Sequence, residues 1–160
     1  MSRPSLAIPI AALVLASSQA IADPGHSHSH ADETAYGMPG DPKKPSRPVN
    51  VTMREAEDGK MQFILDRIEV RRGEQIRFVL RNVGKEDHEF LLATTKENLA
   101  HAEVMKKHPH MEHDDPNGVR LAPNKSAEIV WKFTKSGTFE FSCLIPDHRD
   151  YGMVGHVTVK

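Results

Sequence analysis

The stretch TFEFSCLIPDHRDYGMVGHVTVK, residues 138–160, predicts two β-strands joined by a loop. In its first part, Phe139, Phe141 and Cys143 alternate with polar residues, and the last six residues of the chain alternate in the same way. Successive side chains of a strand point to opposite faces, so these apolar rows are expected to face a core. The thiol of Cys143 therefore continues the core row of a strand.

Short alternating segments of this kind recur from Val49 onward. The segments IRFVLRN, residues 76–82, and EIVWKF, residues 128–133, each place three apolar side chains on one face. Further strands are predicted near residues 49–54, 61–70 and 88–93. Seven or eight short strands separated by turn residues are typical of an antiparallel β-sandwich.

One helix is predicted to interrupt the strands. Thr94 and Glu97 have the spacing of a capping box, and Pro109 is expected to end the helix. The polar, turn-rich residues 110–119 follow. The helix and these residues together form a long insertion between strands, and insertions of this length are often functional.

The first 22 residues have the features of a signal peptide. They contain one charged residue, an apolar stretch over residues 6–15 and the small-x-small sequence Ala20-Ile21-Ala22. The alternative is a membrane anchor, but the apolar stretch is shorter than the roughly 20 residues that a membrane span needs. We therefore expect cleavage after Ala22 and export, which in a bacterium means the periplasm, without a membrane anchor.

Residues 23–47 are predicted to form a flexible tail. They are rich in proline and glycine and poor in apolar residues, so they bury too little surface to offset the entropy of ordering. The tail contains HSHSH, residues 26–30, whose alternate imidazoles could close on one metal ion at little entropic cost. The alternative is solvated low-complexity sequence.

Histidine and methionine are abundant in this chain. There are 10 His and 7 Met in 160 residues, and imidazole and thioether are ligand types that suit copper. The formal net charge of −1 gives no reason to expect nucleic acid as a partner. Cys143 is the single cysteine, so in an oxidising compartment it is a buried inert thiol, a site of intermolecular pairing or a metal ligand.

Four potential ligands are expected to converge at one end of the sandwich. Cys143 ends a strand, His148 lies in the following loop, and Met153 enters the last strand, so the loop can fold back and present all three. His88 stands where another loop enters a strand. Two His, one Cys and a weak axial Met form the ligand set of a blue-copper site. Ordinary core packing and zinc are the alternatives, but thioether is a poor zinc ligand.

The segments CLIPDHRDYGM, residues 143–153, and DHEF, residues 87–90, resemble the cupredoxin family of single-domain blue-copper proteins. The resemblance covers residues 48–160. It implies an all-β, Greek-key antiparallel β-sandwich with one short helical insertion and one type 1 copper ion. The implied ligands are His88, Cys143, His148 and, in the axial position, Met153.

The chain departs from that family beside the upstream histidine. Many electron-transfer members carry Asn or Ser there, whose side chain ties the two ligand loops together, whereas this chain has Glu89. The reduction potential and the tightness of the site are therefore left open.

A second group of potential copper ligands lies outside this motif. His101, Met105 and His108 form one stripe of the predicted helix. The alternative is a solvated helix with Met105 packed on the sandwich. The candidate accessory ligands are His26, His28, His30, His101, Met105, His108, His110, Met111 and His113.

The signal peptide, the His-rich tail and the insertion together resemble periplasmic CopI-type copper-tolerance cupredoxins. We therefore predict a monomer that sequesters or redox-buffers periplasmic copper ions. The alternative is a blue-copper electron carrier in a periplasmic respiratory chain, with a redox partner protein. An enzyme is not expected, because multicopper oxidases and copper nitrite reductases use further domains, and a filled four-ligand site leaves no position for substrate.

Overall fold

Two five-stranded β-sheets pack face to face in the computed structural model, which describes residues 33–109, 111 and 115–160. In that part of the chain, the single helix is α1 (Thr95–Lys107). The strands are β1 (Met38–Pro39), β2 (Arg47–Glu55), β3 (Met61–Ile64), β4 (Arg67–Val70), β5 (Gln75–Asn82), β6 (His88–Ala93), β7 (Gly118–Leu121), β8 (Ser126–Lys132), β9 (Gly137–Ser142) and β10 (Val154–Val159). The strand order is β1-β8-β5-β2-β3 in one sheet and β4-β10-β9-β6-β7 in the other, so the predicted sandwich is confirmed.

The core between the sheets is built from the alternating rows that the sequence predicts. Phe78 of β5, Trp131 of β8 and Phe141 of β9 are fully buried, and Phe90 of β6 contacts Phe78 of the facing sheet with ring centroids 5.1 Å apart. Aromatic side chains bury large apolar areas and hold one another in specific geometries, which fixes the spacing of the two sheets.

The strands are not all antiparallel. β2 runs parallel to β5, and β10 runs parallel to β4, while the other pairs are antiparallel. In both cases the chain leaves for the other sheet between the paired strands, so it can return in the same direction. Alternation of side chains predicts which residues face the core but not the direction of a strand, so the sandwich predicted as antiparallel also contains these two parallel pairs.

The segment predicted as one strand over residues 61–70 is two strands in different sheets. Leu65, between β3 and β4, is exposed and has a φ of 71°, in the left-handed region. Phe63 and Ile68 are both buried although they are five residues apart. In one continuous strand an odd separation would put them on opposite faces, and the change of direction at Leu65 turns both toward the core.

The described part of the predicted tail belongs to the sandwich. β1 pairs with β8, and Tyr36 is 7% exposed, with its ring stacked on Trp131 at a centroid distance of 5.5 Å. The indole N–H of Trp131 donates to the carbonyl of Tyr36 at 2.9 Å. Composition misses this contact because one aromatic anchor does not change the average of a proline-rich segment. Residues 23–32 lie outside the described residues.

The predicted helix and its capping box are confirmed. The side chain of Thr94 accepts the N–H of Glu97, and the carboxylate of Glu97 accepts the N–H of Thr94 at 3.0 Å. The helix packs over the outer face of β9, so Glu140 and Ser142, on the face opposite the core, are buried as well. No helix among the described residues is long and apolar enough to cross a membrane.

Candidate metal centre

Two histidines and the cysteine meet at one end of the sandwich. His88 begins β6, Cys143 directly follows β9, and His148 lies in the loop that leads to β10. β6 and β9 are paired neighbours, which brings His88 and Cys143 to the same end of one sheet. One ring nitrogen of each histidine and the Sγ of Cys143 lie within 4.8 Å of one another, and all three residues are buried.

The loop between β9 and β10 is closed by its own backbone. The N–H of Cys143 donates to the carbonyl of Met153, and the N–H of Met153 donates to the carbonyl of His148, both at 3.1 Å. Asp147 has a φ of 72°, which allows the turn before His148. The backbones of Cys143, His148 and Met153, which are spaced five residues apart, are therefore held close together. The side chain of Met153 is fully buried.

Burial favours the neutral forms of Cys143 and His148 in the absence of a cation. Burial raises the pKa of the Cys143 thiol to about 12, so the thiol is protonated and must release a proton to bind a metal as thiolate. Burial, followed by the nearby ring of His88, lowers the pKa of His148. Neutral imidazole is the form that ligates metals. The Sγ of Cys143 lies 3.4 Å from the Nδ1 of His148.

The residues fit a copper ion. The Nδ1 of His88 is buried and, among the described residues, has no hydrogen-bond partner, while its Nε2 lies 2.9 Å from a carboxylate oxygen of Glu55. A buried polar atom without a partner costs about 1–3 kcal/mol. Two imidazole nitrogens and a thiolate, with a thioether close by in the chain, form a donor set suited to copper. A bound ion would supply the partner that Nδ1 lacks.

Glu89 connects the two ligand-bearing segments. Its carboxylate accepts the N–H of Leu144 at 3.1 Å, and its own N–H donates to the Sγ of Cys143 at 3.3 Å. The tie that the cupredoxin resemblance assigns to Asn or Ser is therefore present, made here by a buried carboxylate. The departure from the family pattern changes the charge beside the thiol, but the connection between the loops is kept.

Sequence reasoning missed Glu55, which lies at the end of β2. Burial alone would raise the pKa of Glu55, but hydrogen bonds from the backbone N–H groups of Lys85 and Glu86 outweigh it and hold the pKa at about 2. Nothing in the local sequence marks this residue, because it is 33 positions away from His88. Only the structure explains Gly84 in the loop before His88, since a Cβ there would lie 2.5 Å from a carboxylate oxygen of Glu55.

Glu140 and Arg149 were also missed. Glu140 is 1% exposed and accepts hydrogen bonds from Asn98 of α1, from Ser142 and from the guanidinium of Arg149. Arg149 follows His148 in the loop between β9 and β10, residues 143–153, which we call the ligand loop. The buried carboxylate of Glu140 therefore joins α1 to the ligand loop. The alternating sequence predicts Glu140 away from the core, but only the packing of α1 shows that it is enclosed.

The candidate accessory ligands are only partly described. His26, His28, His30, His110 and His113 lie outside the described residues. His108 is exposed and His101 is partly buried. Met105 is 1% exposed and packs with Leu91 and Leu144, and Met111 lies against the same small cluster. The stripe of His101, Met105 and His108 therefore does not form one exposed face, and the burial of Met105 supports its alternative interpretation as a packing residue.

Comparison with known proteins agrees with this fold and site. The crystal structure of reduced auracyanin from the photosynthetic bacterium Roseiflexus castenholzii is similar over 73% of this chain and 99% of that chain, with a TM-score of 0.60 and 19% identity, so the two share a fold. Fold and site together define a cupredoxin. Residues 50–160 match the copper binding proteins of the plastocyanin/azurin family.

Two relatives are named copper-resistant cuproprotein CopI. The protein from Rubrivivax gelatinosus is 47% identical, covering 99% of this chain and 96% of the relative, and the protein from Pseudomonas aeruginosa is 35% identical, covering 92% and 91%. The chain belongs to the plastocyanin/azurin family of copper-binding proteins and, within it, to the CopI-type cupredoxins. The predicted resemblance is confirmed.

Proposed function

We propose that the protein acts in copper tolerance by holding one Cu(II) ion at His88, Cys143 and His148, with Met153 as the axial ligand. The observation that carries this assignment is the buried cluster of His88, Cys143 and His148, in which the Nδ1 of His88 has no hydrogen-bond partner in the described part of the chain. The relatives named copper-resistant cuproproteins support the physiological role.

The buried centre suits storage of the ion. Bound Cu(II) would supply a thiolate-to-copper charge-transfer absorption and a positive charge that stabilises the thiolate. The chain excludes water, because all three ligand side chains are buried, and holds the loop closed through its backbone. A ligand set filled by the protein leaves no open position for a substrate, so we propose binding rather than catalysis.

Replacement of Cys143 by Ala tests the site. The Cys143→Ala protein loses the donor of the charge-transfer transition, so we expect no intense visible band after reconstitution with Cu(II). His156→Gln is the matched control, because His156 is an exposed histidine of β10 and the band should persist. An intense band retained by Cys143→Ala would remove Cys143 from the site.

Copper tolerance is tested by deleting the gene. We expect the deletion strain to grow normally at low copper and to fail at high copper, and we expect the wild-type gene, but not Cys143→Ala, to restore growth.

The second candidate function is electron transfer in a respiratory chain, which the shared cupredoxin fold favours. Asp147, Asp150 and Tyr151 are exposed around the ligand loop, and charged groups oppose a dry docking contact. A respiratory defect without copper sensitivity would favour electron transfer.

The role requires export. The signal-peptide pattern of residues 1–22 supports a periplasmic location, with cleavage after Ala22. The mass of the mature protein in a periplasmic fraction tests both claims, and a protein that keeps residues 1–22 would contradict them.

We also propose that additional copper ions bind at the His-rich tail and at the insertion. The exposed imidazole of His108 and the alternating histidines His26, His28 and His30 support it. We expect more than one copper per chain by elemental analysis, and a decrease when the three tail histidines are replaced by Ala. One copper per chain, unchanged by the replacements, would reject accessory binding.

A further inference from the structure

Glu55 brings a carboxylate from the other sheet to the back of a ligand histidine. One oxygen lies 2.9 Å from the Nε2 of His88 and accepts the N–H of Glu86 at 3.0 Å, and the other accepts the N–H of Lys85 at 2.9 Å. The described residues give the Nδ1 of the same ring no partner. The carboxylate therefore occupies Nε2 and leaves Nδ1 as the ring nitrogen of His88 that is available to a metal ion.

The loop before β6 is shaped around this carboxylate. A Cβ at Gly84 would lie 2.5 and 2.7 Å from the two oxygens of Glu55, so no larger residue fits there without displacing the carboxylate. The N–H of Gly84 donates to the side chain of Asn82, and that side chain donates to the carbonyls of Glu86 and Leu121. The contact between Glu55 and His88 is thus fixed from both sides.

The geometry has two consequences for the ring. A carboxylate only accepts hydrogen bonds, so the Nε2 of His88 must carry a proton, and in the neutral ring the Nδ1 then keeps its lone pair. The backbone N–H groups of the loop stabilise the negative charge of the carboxylate. The imidazole ring of His88 separates the negative charge of Glu55 from the candidate metal position.

We propose that Glu55 is a positioning residue of the copper site, which selects the Nδ1-coordinating form of His88 and, through its negative charge, favours Cu(II) over Cu(I). This inference rests on the proposed role of His88 as a ligand. Outer partners of ligating histidines typically contribute 10–100-fold to metal affinity. A negative charge stabilises the more positive ion, so Glu55 lowers the reduction potential, as suits a protein that keeps copper oxidised.

Two variants separate the two effects. Gln in Glu55→Gln can still accept the N–H of His88 but carries no charge, so we expect the same imidazole tautomer and a higher reduction potential. Glu55→Ala removes acceptor and charge, so we expect a mixture of tautomers, a higher potential and about 10–100-fold weaker Cu(II) binding. Glu57→Gln is the control, because Glu57 is exposed on the adjacent turn and its replacement makes the same change in net charge.

Three measurements decide the proposal. Nitrogen NMR of the His88 ring in metal-free protein reports the tautomer, competition with a chelator reports Cu(II) affinity, and redox titration of the visible band reports the potential. The proposal would be overturned if Glu55→Ala showed the same His88 tautomer, Cu(II) affinity and reduction potential as Glu57→Gln. It would also be overturned if the reduction potential of Glu55→Gln were unchanged. The NMR result is independent of copper, so a shifted tautomer together with copper bound elsewhere would reject the proposed function and not the contact.

Discussion

Two of the potential ligands, His88 and Cys143, are contacted by partners that are distant in the sequence. Glu55 contacts the ring of His88, and the N–H of Glu89 donates to the sulfur of Cys143. Outer partners of this kind orient the ligand atoms and tune the metal. At the residue scale, the chemistry of the site therefore depends on contacts that the spacing of the ligands in the sequence does not predict.

The role of Met153 can be separated from its contribution to packing. Met153→Leu conserves volume, so we expect a loss of less than about 1.5 kcal/mol in unfolding free energy. The variant lacks the thioether, and we expect a shifted visible spectrum and reduction potential, because the axial ligand tunes both. Met53→Leu is the control, since Met53 is also fully buried, in β2. Spectra of the two variants that both match the wild type would exclude Met153 as a ligand.

At the scale of elements, α1 and the ligand loop are joined through one buried carboxylate. The guanidinium of Arg149 lies 3.0 Å from Glu140, whose side chain is 1% exposed, and Asn98 of α1 donates to the same carboxylate. Breaking a buried pair leaves a charge without its partner, whereas exposed pairs contribute little. The insertion is therefore coupled to the loop that carries His148.

Arg149→Gln tests this coupling. We expect a loss of about 2–3 kcal/mol in unfolding free energy, because the carboxylate of Glu140 stays buried with only neutral donors. Lys160→Gln is the control, since Lys160 and Glu69 are 65% and 73% exposed and their pair contributes at most about 1 kcal/mol. If urea unfolding gave Arg149→Gln and Lys160→Gln the same loss of unfolding free energy, the buried Glu140–Arg149 contact would stabilise the fold no more than an exposed ion pair.

The same carboxylate predicts a pH dependence. Burial alone would raise the pKa of Glu140, but hydrogen bonds from Ser142 and Arg149 outweigh it, so the pKa lies below the ordinary 4.5. A pKa lowered by folding adds stability that is fully present above 4.5 and is lost as the pH falls through the folded-state value. We expect wild type to exceed Glu140→Gln in stability near neutral pH and the difference to shrink as the pH falls below 4.5. A difference that is constant with pH would contradict this.

At the scale of the whole molecule, the N-terminal segment and the metal centre lie at different places along β9. Tyr36 packs against Phe139 with ring centroids 6.3 Å apart, and Phe139 precedes Cys143 by four residues. Four residues of strand span about 13 Å. The segment that carries β1 therefore closes the core at a distance from the ligands.

Tyr36→Ala should separate folding stability from copper binding. Loss of a buried aromatic ring costs about 3 kcal/mol, so we expect a lower thermal midpoint with an unchanged visible spectrum of the copper-loaded protein. Tyr151→Ala is the control for stability, because Tyr151 is 58% exposed. A changed spectrum in Tyr36→Ala would show that the segment also shapes the site.

The sequence by itself determined the sandwich, the capped helix and the convergence of three potential ligands, His88, Cys143 and His148. These follow from local rules. Alternation assigns the core faces, the capping box starts α1, and the spacing of Cys143, His148 and Met153 allows one loop to fold back and bring these residues close together. The tertiary structure alone decided the parallel strand pairs, the change of sheet at Leu65 and the docking of Tyr36. It also decided the partners of the potential ligands, because Glu55 and His88 meet only when the end of β2 and the start of β6, on different sheets, lie at the same end of the sandwich.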